Sequence, residues 1–112
     1  MSKSGFLLEP GVLYLGSTVE YTETHGLVPI IDGRSSVGRL GIFVHVTAGY
    51  GDNGYCGKWT LELACIVPVV IYPNMKICQI RFQSVTKGWE YSSDKYQNSM
   101  DVQPSKLWKE LQ

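Results

Sequence analysis

Lys58-Trp59-Thr60-Leu61-Glu62-Leu63 alternates polar with apolar side chains, the period of a β-strand with one buried face. Glu62 lies between Leu61 and Leu63 and therefore points to the face opposite both. That face is either solvent or a ligand pocket, and the two readings stay open at this point. Upstream, the stretch from Ala48 to Gly57 holds four glycines with Asp52 and Asn53. It predicts a hairpin with positions of positive φ, where glycine meets no steric penalty.

The pattern continues outward in both directions. Val12 to Tyr21, preceded by Pro10-Gly11, mixes β-branched and aromatic residues and reads as a strand. Val28 to Ile31 and Gly41 to Thr47 are short apolar runs separated by the Gly/Ser/Arg-rich loop Asp32 to Gly38. Ile66 to Tyr72 and Lys76 to Gln83 supply two more strands, joined at Pro73-Asn74. From Thr86 the chain turns polar and aromatic, and only Ser105 to Leu111 has helical character. Roughly seven strands with no helix between them predict an all-β sandwich, jelly roll or barrel.

The chain has 112 residues, 44% hydrophobic and 18% charged, which fits one small domain with a real core and argues against disorder. Ten basic residues balance ten acidic ones, so no net field gathers nucleic acid or an anionic membrane surface. A polyanionic ligand has to be held by local groups. No run reaches the roughly 20 apolar residues of a membrane span. The N-terminal apolar stretch Phe6-Leu7-Leu8 is too short for a secretory signal, so a cytoplasmic location is expected. Cys56, Cys65 and Cys78 are odd in number and form no C-x-x-C pair, which indicates neither a disulfide framework nor a thiolate zinc site.

Three places could carry chemistry. In Gly33-Arg34-Ser35-Ser36-Val37-Gly38-Arg39, two guanidinium groups, two hydroxyls and glycine-exposed backbone amides suit a phosphate, or else form a solvated turn. Asp52 at the hairpin tip either caps its own turn or orients water or a hydrated metal ion. His45, alone in an apolar strand, reads as a hydrogen-bonded core residue.

In this order the residues resemble the superfamily of dCTP deaminases and trimeric dUTPases, over almost the entire chain. Leu8-Glu9-Pro10-Gly11 with Gly16-Ser17-Thr18-Val19-Glu20-Tyr21 is similar to the opening "PG … sTxE" of the deaminases, and Arg34 to Gly41 to their "RSSxxRLG". His45-Val46-Thr47-Ala48-Gly49 resembles "HxTAG". Asp52, Tyr55 and Gly57 resemble the "IDxxYxG" of dUTPases, with Gly51 in place of isoleucine. Thr60 to Leu63 matches "TLEL", and Pro73 to Ile80 is similar to "PGMKIAQL". Gly49-Tyr50 resembles the "TAGW" of bifunctional deaminase-dUTPases, and Lys95 to Ser99 a deaminase tail. Longer relatives carry an "SxDLRLG" strand ahead of these motifs, and a shortened N-terminus is expected here.

The resemblance implies a dUTPase-like distorted jelly roll or barrel, a single domain over 1–112, and a homotrimer with sites at subunit boundaries. Arg34, Ser35, Ser36 and Arg39 would hold the triphosphate, with Gln79 in the same binding set. Lys95, Tyr96 and Gln97, within a tail over 86–112, would close over it from a neighbouring subunit. Val46, Thr47, Ala48 and Gly49 would read the pyrimidine edge, and Tyr55 would pack beneath the deoxyribose. Asp52 would position the water that attacks the α-phosphorus, with hydrated Mg²⁺ on the phosphates, bridged by water to Asp52 and without direct protein ligands. Glu62 would move protons at C4 of cytosine; a glutamate is not expected there in enzymes that hydrolyse only dUTP. The implied activity is hydrolysis of dCTP, with dUTP as a second substrate, to the monophosphate and pyrophosphate. The monophosphate is dCMP, or dUMP where deamination accompanies cleavage. The alternatives are a deaminase releasing dUTP and ammonia, and a nucleotide-binding regulatory protein.

Overall fold

The structure is a computed structural model that describes residues 2–45, 48–84 and 96–111. Within them lie β1 (Phe6–Leu8), β2 (Tyr14–Glu23), β3 (Leu27–Gly33), the single helical turn α1 (Ser35–Gly38), β4 (Ile42–Phe43), β5 (Cys56–Cys65), β6 (Val69–Ile71), β7 (Cys78–Ser84) and a 3₁₀ turn at Leu107–Leu111. All strand pairs are antiparallel: β1 with β6, β3 with β7, and a three-stranded sheet in the order β2-β5-β4. The all-β expectation holds.

β5 organises the molecule. Leu61, Leu63 and Cys65 are buried while Thr60, Glu62 and Ala64 are half-buried on the other face. The buried set meets Leu8, Ile31, Val37, Ile42, Val44 and Ile71 in one core. Leu8 has no exposed surface at all. On one side β5 pairs with β2, Leu15 opposite Glu62 and Gly16 opposite Leu61, with a register shift between Ser17 and Tyr21.

Several boundaries differ from the sequence reading, each for a local reason. The loop over Asp32–Gly38 contains α1, closed by Gly38 N–H donating to the Arg34 carbonyl (2.8 Å) and Arg39 N–H to that of Ser35 (3.0 Å). Burial of Val37 holds that turn against the core. The expected strand Gly41 to Thr47 is ladder-paired only at Ile42 and Phe43, opposite Cys65 and Ala64. Beyond them Glu62 N–H still reaches the Val44 carbonyl at 3.1 Å, and Val46 and Thr47 lie outside the described residues. The strand expected from Ile66 begins at Val69, because Ile66 N–H is taken by Gly41 O (2.9 Å), one step beyond the β4–β5 pairing, and Pro68 has no N–H to offer a ladder.

Complete burial of Leu8 makes it the most sensitive core position. Leu8→Ala should lower the unfolding free energy by about 2–5 kcal/mol in a urea titration followed by tryptophan fluorescence. A loss below about 1 kcal/mol would show that β1 does not close the core.

Candidate active site

The segment over 48–57 does not form the expected hairpin: its first half lies against β3, a turn follows at Asn53–Gly54, and Cys56 and Gly57 then pair with β2. Ile31 N–H donates to Gly49 O and Gly51 N–H to Pro29 O, both at 2.7 Å, and Tyr50 bridges Ile30. Sequence reading expected the hairpin's glycines to answer positive φ. Gly54 (φ 89°) and Gly57 (φ 155°) do, whereas Gly49 and Gly51 serve close approach. A Cβ on Gly49 would lie 2.7 Å from both Ile31 O and His45 Nε2, and one on Gly51 would run into Pro29 and the Trp59 ring. Real Cβ atoms do not tolerate such contacts, so only glycine lets the segment lie this close.

The turn at Asp52 is fixed from below. Tyr55 N–H donates to Asp52 O (3.1 Å), and the Thr24 hydroxyl donates to the carbonyls of Tyr55 (3.3 Å) and Asp52 (3.4 Å). Asn53 is almost fully buried, and its Oδ1 accepts the Gly26 N–H at 2.7 Å. These bonds spend main-chain groups and the Asn53 amide. The Asp52 carboxylate makes no hydrogen bond or ion pair with another described residue.

Above this turn lies a cleft of about 460 Å³, lined among others by Ala48, Asp52, Tyr55, Trp59, Glu62 and Tyr96. Tyr55 is buried, donates its hydroxyl to Lys58 O (2.7 Å) and meets Trp59 edge to face at 5.4 Å. Trp59 is fixed in turn by Nε1–H donating to Thr22 Oγ1 at 2.8 Å. The two rings make a rigid apolar wall. Glu62 lines the same cleft, and its Oε1 is buried with no hydrogen-bond partner among the described residues. Leaving a buried acceptor unmade costs about 1–3 kcal/mol, and more for a charged group, so a donor brought to this oxygen would be stabilising.

The sequence-predicted set separates into two groups. Ala48, Asp52, Tyr55, Glu62 and Tyr96 share the cleft just described. Arg34 and Gln79 line a second cleft of about 920 Å³ beside β2 and β7. There Arg34 is engaged by the Lys76 carbonyl, and Gln79 Nε2 donates to Gly33 O at 2.8 Å. Cys78 borders it as well; partial burial, then the nearby Glu20 carboxylate, raise its thiol above the ordinary range, so it supplies no thiolate at neutral pH. Ser35, Ser36 and Arg39 are exposed and line neither cleft. Lys58 and Trp59 line both.

The described tail lies on its own chain. Asn98 N–H donates to Cys56 O (2.6 Å), Lys58 N–H to Ser99 O (2.7 Å), and Gln103 N–H to Thr60 Oγ1 (2.9 Å). Tyr96 therefore borders the Asp52/Glu62 cleft of the same subunit. Gln97 does not point into it: Oε1 accepts the Cys56 N–H and Nε2 donates to Gly54 O, both at 3.0 Å. Lys95 lies outside the described residues. His45 departs from the core reading, since its buried Nδ1 has no hydrogen-bond partner among the described residues. Thr24 and Asn53 hold the Asp52 turn; the sequence placed Asn53 in the turn but gave neither residue this role.

As for magnesium, Asp52 offers one half-buried, uncommitted carboxylate. That matches an ion which keeps most of its waters and takes one or two carboxylates plus substrate phosphate.

A family model for dCTP deaminase-like domains matches residues 1–85. The chain is 56% identical to the protein named dCTP deaminase, dUMP-forming, of Hathewaya histolytica, and 54% identical to that of Cytophaga hutchinsonii. Each alignment covers 98% of this chain and 64% of the relative. A dCTP deaminase of Rhodopirellula baltica is 56% identical over 97% of this chain and 56% of its own length. The chain thus spans somewhat under two thirds of the length of these relatives. With the ordered motifs, the β-rich fold and the family match in agreement, the chain belongs to the dCTP deaminase-like family.

Proposed function

We propose that this chain carries the site of an enzyme that converts dCTP to dUMP, with the balance dCTP + 2 H₂O giving dUMP, pyrophosphate and ammonium. The observation that carries the reading is the pairing, in one cleft, of a buried Glu62 oxygen with the Asp52 carboxylate, neither with a hydrogen-bond partner among the described residues. The names of the relatives at 54–56% identity agree with it.

In the first half-reaction a water adds to C4 of cytosine. Glu62 relays both of the water's protons, one to N3 as the water oxygen bonds C4 and one from the resulting C4 hydroxyl to the amino group, which leaves as ammonia while the C4 carbonyl forms. The orphaned oxygen suits this because the cytosine amino group brings the missing donor. In the second half-reaction Asp52 orients a water toward the α-phosphorus and pyrophosphate leaves. Mg²⁺ on the phosphates supplies charge neutralisation. Tyr55 forms the wall against which the sugar packs. Val46 to Gly49 read the pyrimidine edge.

Ser35, Ser36 and Arg39 belong to the same proposal through a homotrimer. They are exposed and away from the Asp52/Glu62 cleft of their own chain, so a neighbour's loop completes each site. Exposed apolar side chains of the kind that subunit contacts cover include Val19 (66%), Ile66 (65%) and Phe43 (50%). A cytoplasmic location goes with this substrate.

Purified protein incubated with dCTP and Mg²⁺ should release ammonia and pyrophosphate in equal amounts with dUMP. Accumulation of dUTP, of dCMP, or of no product would overturn the two-step reading. Glu62→Gln should lower ammonia release by about 10²–10⁴-fold, and Asp52→Asn pyrophosphate release by a similar factor, with nucleotide binding retained. Sedimentation should give a trimer. Co-refolding inactive Glu62→Gln with inactive Arg39→Ala should restore part of the activity; no recovery would reject sites shared between subunits.

A further inference from the structure

Where β2 ends and β5 begins, Glu23 sits directly opposite Cys56 in the strand register, and His25 follows two residues later in the turn to β3. One ligand atom from each of these three side chains lies within 4.8 Å of the other two. His25 Nε2 and Glu23 Oε2 are 3.8 Å apart, with side chains 70% and 61% exposed. Cys56 is half-buried and unoxidised, its thiol directed toward Gly54 O at 3.6 Å.

We propose that Glu23, His25 and Cys56 form a binding site for a thiophilic divalent cation of the Zn²⁺ class. The donor set decides the class. One thiolate, one imidazole nitrogen and one carboxylate oxygen suit a borderline-soft ion, whereas Mg²⁺ and Ca²⁺ take oxygen ligands. Zn²⁺ bonds of about 2.0–2.3 Å in a tetrahedron need ligand atoms roughly 3.3–3.8 Å apart. The Glu23–His25 edge, at 3.8 Å, is about 0.5 Å longer than a nitrogen–oxygen edge requires, and these two exposed side chains can close that gap and draw in on Cys56. Three protein ligands leave the fourth position for water. On binding, the Cys56 thiol gives up its proton to solvent and its weak contact with Gly54.

The scaffold for this site is fixed before any ion arrives. Thr24, between two of the ligands, donates its N–H to Tyr55 O (3.3 Å), and Gly26 is held by Asn53. Cys56 is clasped by Gln97 and by Asn98 N–H. An ion here therefore joins the end of β2, the start of β5 and the tail strap behind the Asp52 turn. It uses none of the carboxylates assigned to substrate, so the proposal stands apart from the dCTP reading.

Titrating the metal-free full chain with Co²⁺ alone tests it. The expected result is saturation at one equivalent per chain, with a thiolate-to-cobalt charge-transfer band that Zn²⁺ abolishes. Cys56→Ser should remove the band, and His25→Ala, an exposed substitution that spares the fold, should weaken binding by about 100-fold or more. No saturable band, a band that survives Cys56→Ser in a chain folded by circular dichroism, or unchanged affinity in His25→Ala would each overturn the site.

Discussion

β5 has two faces, and the period of two along it ties the stability of the fold to its chemistry. Leu61, Leu63 and Cys65 enter the core, which places Glu62 on the opposite face between them. A slip of one residue against β2 would bury the carboxylate and expose the leucines. The register, Leu15 against Glu62 and Gly16 against Leu61, is thus held by the hydrophobic energy of the core, and the Glu62 carboxylate is positioned by forces that have nothing to do with substrate.

The other half of the cleft depends on close backbone approach. Gly49 and Gly51 lie where a Cβ would strike Ile31, His45, Pro29 or Trp59, and Asn53 and Thr24 bind the turn from below. The segment over 48–57 is therefore a closely packed platform, and the Asp52 side chain takes no part in its hydrogen bonding among the described residues. Tyr55 and Trp59 fill the space between platform and sheet. Ordered surrounding groups, with two carboxylates that have no partner among the described residues, suit electrostatic preorganisation.

Much of this was legible in the sequence. The alternation in β5 identified the strand and the outward glutamate, while the glycine cluster marked the turn at Asn53–Gly54 but not the pairing of this segment with β3 in place of a hairpin of its own. Ordered motifs gave the family. What was not legible lay in long-range packing. One helical turn at Ser35–Gly38 forms because Val37 finds the core, which no local propensity announces. The strand expected over Ile66–Tyr72 is shortened because Ile66 bonds to Gly41, 25 positions away in sequence, at the end of the β4–β5 pairing. The separation of the Arg34–Arg39 segment from Asp52 and Glu62, and the meeting of Glu23 with Cys56 across a strand pair, both follow from register, which a linear reading does not contain.

The central claim is that the Glu62 carboxylate faces the cytosine amino group inside the cleft formed with Asp52 and Tyr55. A crystal structure of the Glu62→Gln variant with dCTP and Mg²⁺ tests it most directly. The account predicts the side-chain amide oxygen at position 62 about 3 Å from the cytosine N4, the sugar against Tyr55, and the triphosphate on Ser35 and Arg39 of a neighbouring chain. A base bound in the second cleft beside Gln79, or in the Asp52 cleft with position 62 turned away from N4, would contradict it.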